Sequence, residues 1–130
     1  MNAEDFNKLV ERRIDLIKKV LIKKGKEYSS ENDRLHNFKV AAAIDMQSPV
    51  EALWGMAKKH LVSIIDMKNG IAKNGTIYNQ AYVDEKIGDM INYLILLEAL
   101  IEECSKDDNK LYFGSSDIIS DPLPDKLKVI

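Results

Sequence analysis

A chain of 130 residues with 45% hydrophobic side chains is long enough to bury one core, which argues for a single domain and against a disordered or disulfide-stapled fragment. Charged residues make up 31% but balance to a formal net of −2, so no general basic field attracts a nucleic-acid backbone, and specific nucleic-acid binding is not expected. The lone Cys104 cannot form an intrachain disulfide, the first residues are charged throughout, and no apolar run nears the roughly 20 residues of a bilayer span; a cytoplasmic protein with no membrane partner is expected.

From about Asp5 to Lys26, Phe6, Leu9, Val10, Ile14, Ile17, Val20 and Leu21 keep a helical period. The pattern predicts a first amphipathic helix that closes near Gly25 in the left-handed conformation, with Lys23, Lys24 and Lys26 at the negative end of its dipole. The next segment, KGKEYSSENDRLHNF, is crowded with Ser, Asn and Asp, which favour turns, and reads as an ordered loop. Asn32 or Asp33 then caps a short second helix that turns Leu35, Phe38 and Ala42 inward. Within this stretch Lys24, Lys26, Tyr28, Arg34, His36, Asn37 and Lys39 gather cations, an aromatic and an amide, a composition suited to phosphate and base recognition. A lone histidine such as His36 more often starts a helix than ligates or catalyses, and the same discount applies to His60.

Ser48-Pro49-Val50-Glu51 spells a capping box with proline at the first helical position. A third helix begins there, directs Val50, Leu53, Trp54, Ala57, Leu61, Ile64 and Ile65 inward, and is expected to close at Asn69-Gly70. Trp54 reads as core rather than as a stacking platform. Asn74-Gly75 marks a turn, either a tight hairpin-like excursion or a mobile connection. The stretch from Asp84 to Cys104, DEKIGDMINYLILLEALIEEC, is the helix around which the chain is organised, with Ile87, Met90, Ile91, Leu94, Leu97 and Ile101 as its inward stripe. After Lys106 the chain turns polar and holds both remaining prolines. It predicts an extended tail over 106–130, packing on a neighbouring subunit through Tyr112, Phe113 and Ile118, beside a helical pocket domain over 1–105. The architecture expected is all-α, four-helix bundle-like.

Glu85, Asp89 and Asn92 stand at i, i+4 and i+7, so they form one line beside the apolar stripe. Two carboxylates that close repel unless a cation, a proton or a basic partner intervenes. The line is therefore either a solvated acidic shoulder or half of a metal or phosphate site. Lys59, Ser63 and Asp66 repeat the spacing on the third helix. Antiparallel packing of the two helices would set both lines on one pocket, where carboxylates suit Mg²⁺ and Lys59 suits phosphate oxygens; the competing arrangement is a plain salt bridge from Lys59 to Glu85 or Asp89. No second His or Cys stands at metal spacing, so zinc is not expected.

KGKEY followed by NDRLHNF, then ALWGMAKKHLVSIIDM, then EKIGDMINYLILL resemble the MazG-like all-α nucleoside triphosphate pyrophosphohydrolases, and among them small phage-encoded relatives associated with nucleotide metabolism, over about residues 24 to 100. The resemblance implies a homo-oligomer in the (host) cytoplasm that binds a nucleotide with Mg²⁺ between subunits and releases pyrophosphate from a nucleoside triphosphate. It implies Glu85 and Asp89 as catalytic carboxylates, with Asp66 as a third metal ligand. Lys24, Lys26, Tyr28, Asn37, Lys59, Ser63, Lys86 and Asn92 would contact the nucleotide. Two positions depart from the pattern. Lys86 replaces the second acid of the E-E-L-G-D segment, and the preceding helix carries Lys58-Lys59-His60 where a Glu-x-x-Glu pair is expected. Lysines in place of acids would suit holding an anionic nucleotide without cutting it, so a sponge for a host nucleotide signal is the alternative.

Overall fold

The capping box at Ser48 is fully formed: the Ser48 hydroxyl accepts from the Glu51 amide at 3.2 Å and the Glu51 carboxylate accepts from the Ser48 amide at 3.3 Å. From it α3 runs Pro49–Asn74, past Asn69-Gly70. The predicted stop fails because Gly70 is not used for a left-handed cap; it leaves room for the Tyr78 hydroxyl, which sits where a Cβ would be. The cap is Gly75, at φ +64°, whose amide donates to the Ile71 carbonyl while the Thr76 amide donates to that of Gly70. Asn79 then accepts from the Tyr82 amide at 2.8 Å, and α4 runs Gln80–Lys106. The Asn74-Gly75 signal thus marks the corner of an antiparallel helical hairpin.

The computed structural model describes residues 1–27 and 32–106, which hold two further helices, α1 (Ala3–Lys18) and α2 (His36–Asp45), and no strand. The all-α, four-helix expectation holds. Tyr28 and the predicted tail lie outside the described residues. Asn2 caps α1 through its side-chain oxygen, so the helix starts at Ala3, two residues ahead of the expected Asp5. Beyond Lys18 the helix widens into a π turn over Lys19–Lys23 and tightens into a 3₁₀ turn over Lys24–Glu27. Gly25 does not take the left-handed conformation foreseen for it; it is buried under the Arg34 guanidinium, whose Nε would lie 2.7 Å from a Cβ. Asp33 does not cap α2 directly but accepts from the Leu35 amide at 3.0 Å, one turn ahead of the helix.

Leu53 and Leu100, both fully buried, pair α3 with α4, and Leu35 and Phe38 close the cluster from α2, as the inward assignment of Leu35, Phe38 and Ala42 requires. Among the described residues no helix is long and apolar enough to cross a membrane. On α4 the inward line is not the predicted one. Gly88, Asn92 and Leu100 are buried, whereas Leu94 and Ile101 are about half exposed, at 49% and 50%. The reason is coverage. Helix α1 lies along the Asp84, Gly88, Asn92 side of α4 and α3 along the Asp89, Tyr93, Leu100 side, which leaves Leu94 and Ile101 uncovered. On α3, likewise, Trp54, Leu61 and Ile65 are exposed rather than core, because α3 meets α4 along Leu53, Ala57 and His60. Phe6, Leu9, Val10 and Ile14 of α1 are also exposed.

Candidate functional site

Two clefts open along α4, and Val20, Asp89 and Asn92 line both. The smaller, about 180 Å³, lies between α1 and the first half of α4 and is walled by Arg13, Leu16, Ile17, Asp84, Glu85 and Gly88. The larger, about 460 Å³, lies where the 3₁₀ turn, the start of α2 and α4 converge, with Lys24, Arg34, Asn37, Phe38 and Tyr93 among its walls. The groove is therefore polarised. Its acidic end holds Asp84, Glu85 and Asp89; its other end holds two cations, an amide and two aromatic rings.

The fold builds the acidic end from a close approach of α1. Arg13 Nη1 donates to the Asp84 carbonyl at 3.1 Å and Nη2 to its carboxylate at 3.4 Å, while Arg12 binds the other carboxylate oxygen. The Arg13 side chain passes over Gly88, where a Cβ would lie 2.8 Å from Nη1. Burial acts to raise the Asp84 pKa, but hydrogen bonds from Arg12 and Gln80 and both guanidinium charges outweigh it and hold the carboxyl below its ordinary range. Asp84 is thus consumed by the α1–α4 junction, while Glu85 and Asp89, one turn apart, border the cleft.

From α3, His60 reaches Asp89, with Nδ1 3.4 Å from Oδ2, and its ring lies 4.7 Å from that of Tyr93. Burial lowers the His60 pKa despite the Asp89 charge, so at neutral pH the imidazole is uncharged. Burial, with the Asp89 charge, likewise raises the Tyr93 hydroxyl pKa. Tyr93 meets Phe38 edge to face, at 6.3 Å and 72°. Between these groups stands Asn92, only 7% exposed, and its side-chain oxygen is the one buried side-chain N or O atom among the described residues without a hydrogen-bond partner. A buried acceptor without a partner costs about 1–3 kcal/mol, so its position where two clefts meet points to a donor on a ligand.

Of the residues singled out from sequence, Lys24, Asn37, Glu85, Asp89 and Asn92 do line the clefts, and so does Arg34. Lys59, Ser63 and Asp66 line neither. Ser63 donates its hydroxyl back to the Lys59 carbonyl at 3.1 Å, and Asp66 is exposed. The foreseen pocket shared by Lys59 and Asp66 with Glu85 and Asp89 is not formed, and neither is the competing salt bridge from Lys59 to either acid, because it is His60, one residue and about 100° further round α3, that faces α4. Lys86 pairs with Glu85 at 2.8 Å and lies 5.4 Å over the Tyr82 ring, outside both clefts. Lys26 is exposed and borders neither cleft. Lys39 is taken up by Asp33 at 2.8 Å and Glu103 at 2.6 Å.

Among the described residues no three His, Cys, Asp or Glu side chains converge as a metal-binding group. The two carboxylates that face the groove, Glu85 and Asp89, could ligate at most a single Mg²⁺ completed by ligands from elsewhere, and do not fit a pair of metals. The sequence reading passed over Arg13 and Tyr93, and gave Phe38 a core role only. No family model, characterised protein or solved structure matches the chain.

Proposed function

We propose that the protein binds a nucleotide in the polarised groove and, with Mg²⁺, hydrolyses a nucleoside triphosphate to the monophosphate and pyrophosphate. The observation that carries the reading is the partnerless, buried Asn92 oxygen at the junction of a basic, aromatic-walled cleft and an acidic one. A volume of about 460 Å³ suits a drug-sized or nucleotide-sized ligand. Lys24 and Arg34 supply charge-assisted hydrogen bonds to phosphate oxygens, Tyr93 and Phe38 supply an apolar wall for a base, and Asn92 accepts from a donor on the ligand. Glu85 and Asp89 would hold the metal. When bound, magnesium would neutralise phosphate charge and make a coordinated water more acidic. In the balanced reaction, water oxygen would join the α-phosphorus, the bridging oxygen would leave with pyrophosphate, and the water's proton would pass to solvent.

One observation favours the alternative, a binder that sequesters its nucleotide without cutting it: the Glu85 carboxylate is already paired with Lys86. Calorimetry and product analysis with a panel of nucleoside triphosphates, in magnesium and in chelator, separate the two. Pyrophosphate release that Asp89→Asn abolishes supports the enzyme. Tight, chelator-insensitive binding without product supports the sponge. The Asn92 argument has its own test. Asn92→Leu should stabilise the free protein by about 1 kcal/mol, since it removes a buried acceptor that has no partner, yet weaken nucleotide binding at least tenfold. No binding by the wild-type protein to any member of the panel overturns the proposal.

A further inference from the structure

We infer that Gly25 is a positioning residue for a linked di- or triphosphate: its missing side chain lets the Arg34 guanidinium rest on the bare backbone, open to phosphate without a metal. The inference rests on the assignment of phosphate to Lys24 and Arg34 made above, and adds what aims them. A Cβ added at Gly25 would lie 2.7 Å from Arg34 Nε, 2.9 Å from Nη2 and 3.0 Å from Cζ. No methyl group fits there unless the guanidinium moves. Gly25 and Arg34 both line the larger cleft, so the contact is part of its wall. The chain reaches it through an irregular turn. At the end of the π turn the Lys24 amide donates to the Lys19 carbonyl, five residues back, and the 3₁₀ turn follows at once. Lys24 and Gly25 thereby come to the cleft wall, whereas Lys23 and Lys26 on either side of them do not line it. Such wide turns within helices are frequent at functional sites.

The pairing of the other cations points to an anion at this wall. Arg12 and Arg13 share Asp84, and Lys39 is bound by Asp33 and Glu103. Asp33, next to Arg34 in sequence, gives its carboxylate to Lys39 and to the Leu35 amide. Arg34 is half-buried and forms no ion pair with another described residue, and neither does Lys24. A guanidinium drawn partly out of water without a counter-charge suits phosphate, which its planar fork grips through two parallel hydrogen bonds. With Lys24 as a second, point-like cation on the same wall, two linked phosphates match the site better than one.

Gly25→Ala separates positioning from stability. The group it displaces is the far end of a flexible side chain, and Gly25 does not have the positive φ that would strain an alanine. Calorimetry of the full chain with inorganic triphosphate in chelator should show binding by the wild type and at least about tenfold weaker binding by Gly25→Ala, the loss expected of one charge-assisted hydrogen bond, with the melting temperature unchanged or raised. Arg34→Gln should weaken binding to a similar extent, and adding Gly25→Ala to it should change nothing further. Four results would each overturn the inference: no triphosphate binding by the wild type, inorganic phosphate bound as tightly as triphosphate, undiminished binding by Gly25→Ala, or an equal further loss when Gly25→Ala is added to Arg34→Gln. A lower melting temperature for Gly25→Ala would also overturn it, since Arg34 would then be held as part of the core. Failure of the proposed function reads differently. If triphosphate binds and Gly25 acts through Arg34, yet no nucleotide of the panel binds, the nucleotide reading falls and this one stands; a nucleotide bound where inorganic triphosphate is not gives the reverse.

Discussion

Replacing Gly88 with alanine sets two effects of known size against each other. In a helix interior alanine is favoured over glycine by about 0.5–1 kcal/mol, because the unfolded chain loses less freedom on folding. Gly55, in the interior of α3 with nothing within 4 Å of an added Cβ, supplies that gain alone. At Gly88 the same methyl group falls 2.8 Å from Arg13 Nη1, so the guanidinium must move off the 3.1 Å bond to the Asp84 carbonyl. The Arg13 side chain is 16% exposed and Asp84 22%, too buried for water to replace that bond fully. A charge-assisted hydrogen bond contributes about 1.5–3 kcal/mol, and the second contact, at 3.4 Å, is too long to add much. Gly88→Ala should therefore destabilise by about 0.5–2.5 kcal/mol while Gly55→Ala stabilises by about 0.5–1 kcal/mol. Urea unfolding of both variants, each at the same protein concentration, measures the gap. Equal stabilisation by the two would show that Arg13 does not lie across Gly88, and with it the α1 wall of the acidic cleft would fall.

Leu53→Ala, at a fully buried position, should cost about 2–5 kcal/mol in the same assay, whereas Ile44→Ala, 75% exposed, should stay within about 0.5 kcal/mol; similar losses at both would mean the core is misplaced. Lys39→Met tests the bridge from the loop to the end of α4, which should contribute about 1–2 kcal/mol given its partial exposure. For Asp33 burial acts to raise the pKa, but the Lys39 hydrogen bond and charge and the Leu35 amide lower it below 3.8, so its contribution is present above that value and lost as pH falls through the folded pKa. Lys39 is shifted upward from 10.5, against burial, by its bonds to Asp33 and Glu103, so its contribution is full below 10.5 and fades only above. The difference in melting temperature between wild type and Lys39→Met should hence be flat from about pH 5 to about pH 10 and shrink below about pH 4. A difference that does not shrink at any acid pH at which the protein stays folded would assign the effect to packing of the lysine stem.

The helices were legible because their signals are local. Ser48-Pro49-Val50-Glu51 fixes a helix start through atoms three residues apart, and its geometry is found as read. Helix ends were read less well for the same reason. Gly70 carries the composition of a cap, but whether it becomes one depends on Tyr78, eight residues on and across a turn, whose hydroxyl occupies the space. Periodicity identified the apolar stripe of α4 correctly as a stripe. What it could not supply is which neighbour covers it, and within one chain α1 and α3 cover the two adjacent sides instead.

The same limit explains the site. Asn92 stood out as a polar residue in line with Glu85 and Asp89, and that line does border the groove, since spacing along one helix survives folding. The partner line on α3 did not survive, because pairing two helices requires their relative rotation, and an error of one residue turns a side chain by about 100°. Lys59 thus points away while His60 meets Asp89, which converts an expected cation at the carboxylate into a neutral imidazole. That exchange has a chemical consequence. A lysine in contact with Asp89 would compete with any metal for it, whereas an uncharged His60 can only orient the carboxylate, so under the proposed function Asp89 would keep its negative charge available to Mg²⁺. His60→Lys should therefore weaken magnesium-dependent nucleotide binding more than His60→Gln does, and equal effects would count against a metal at Asp89.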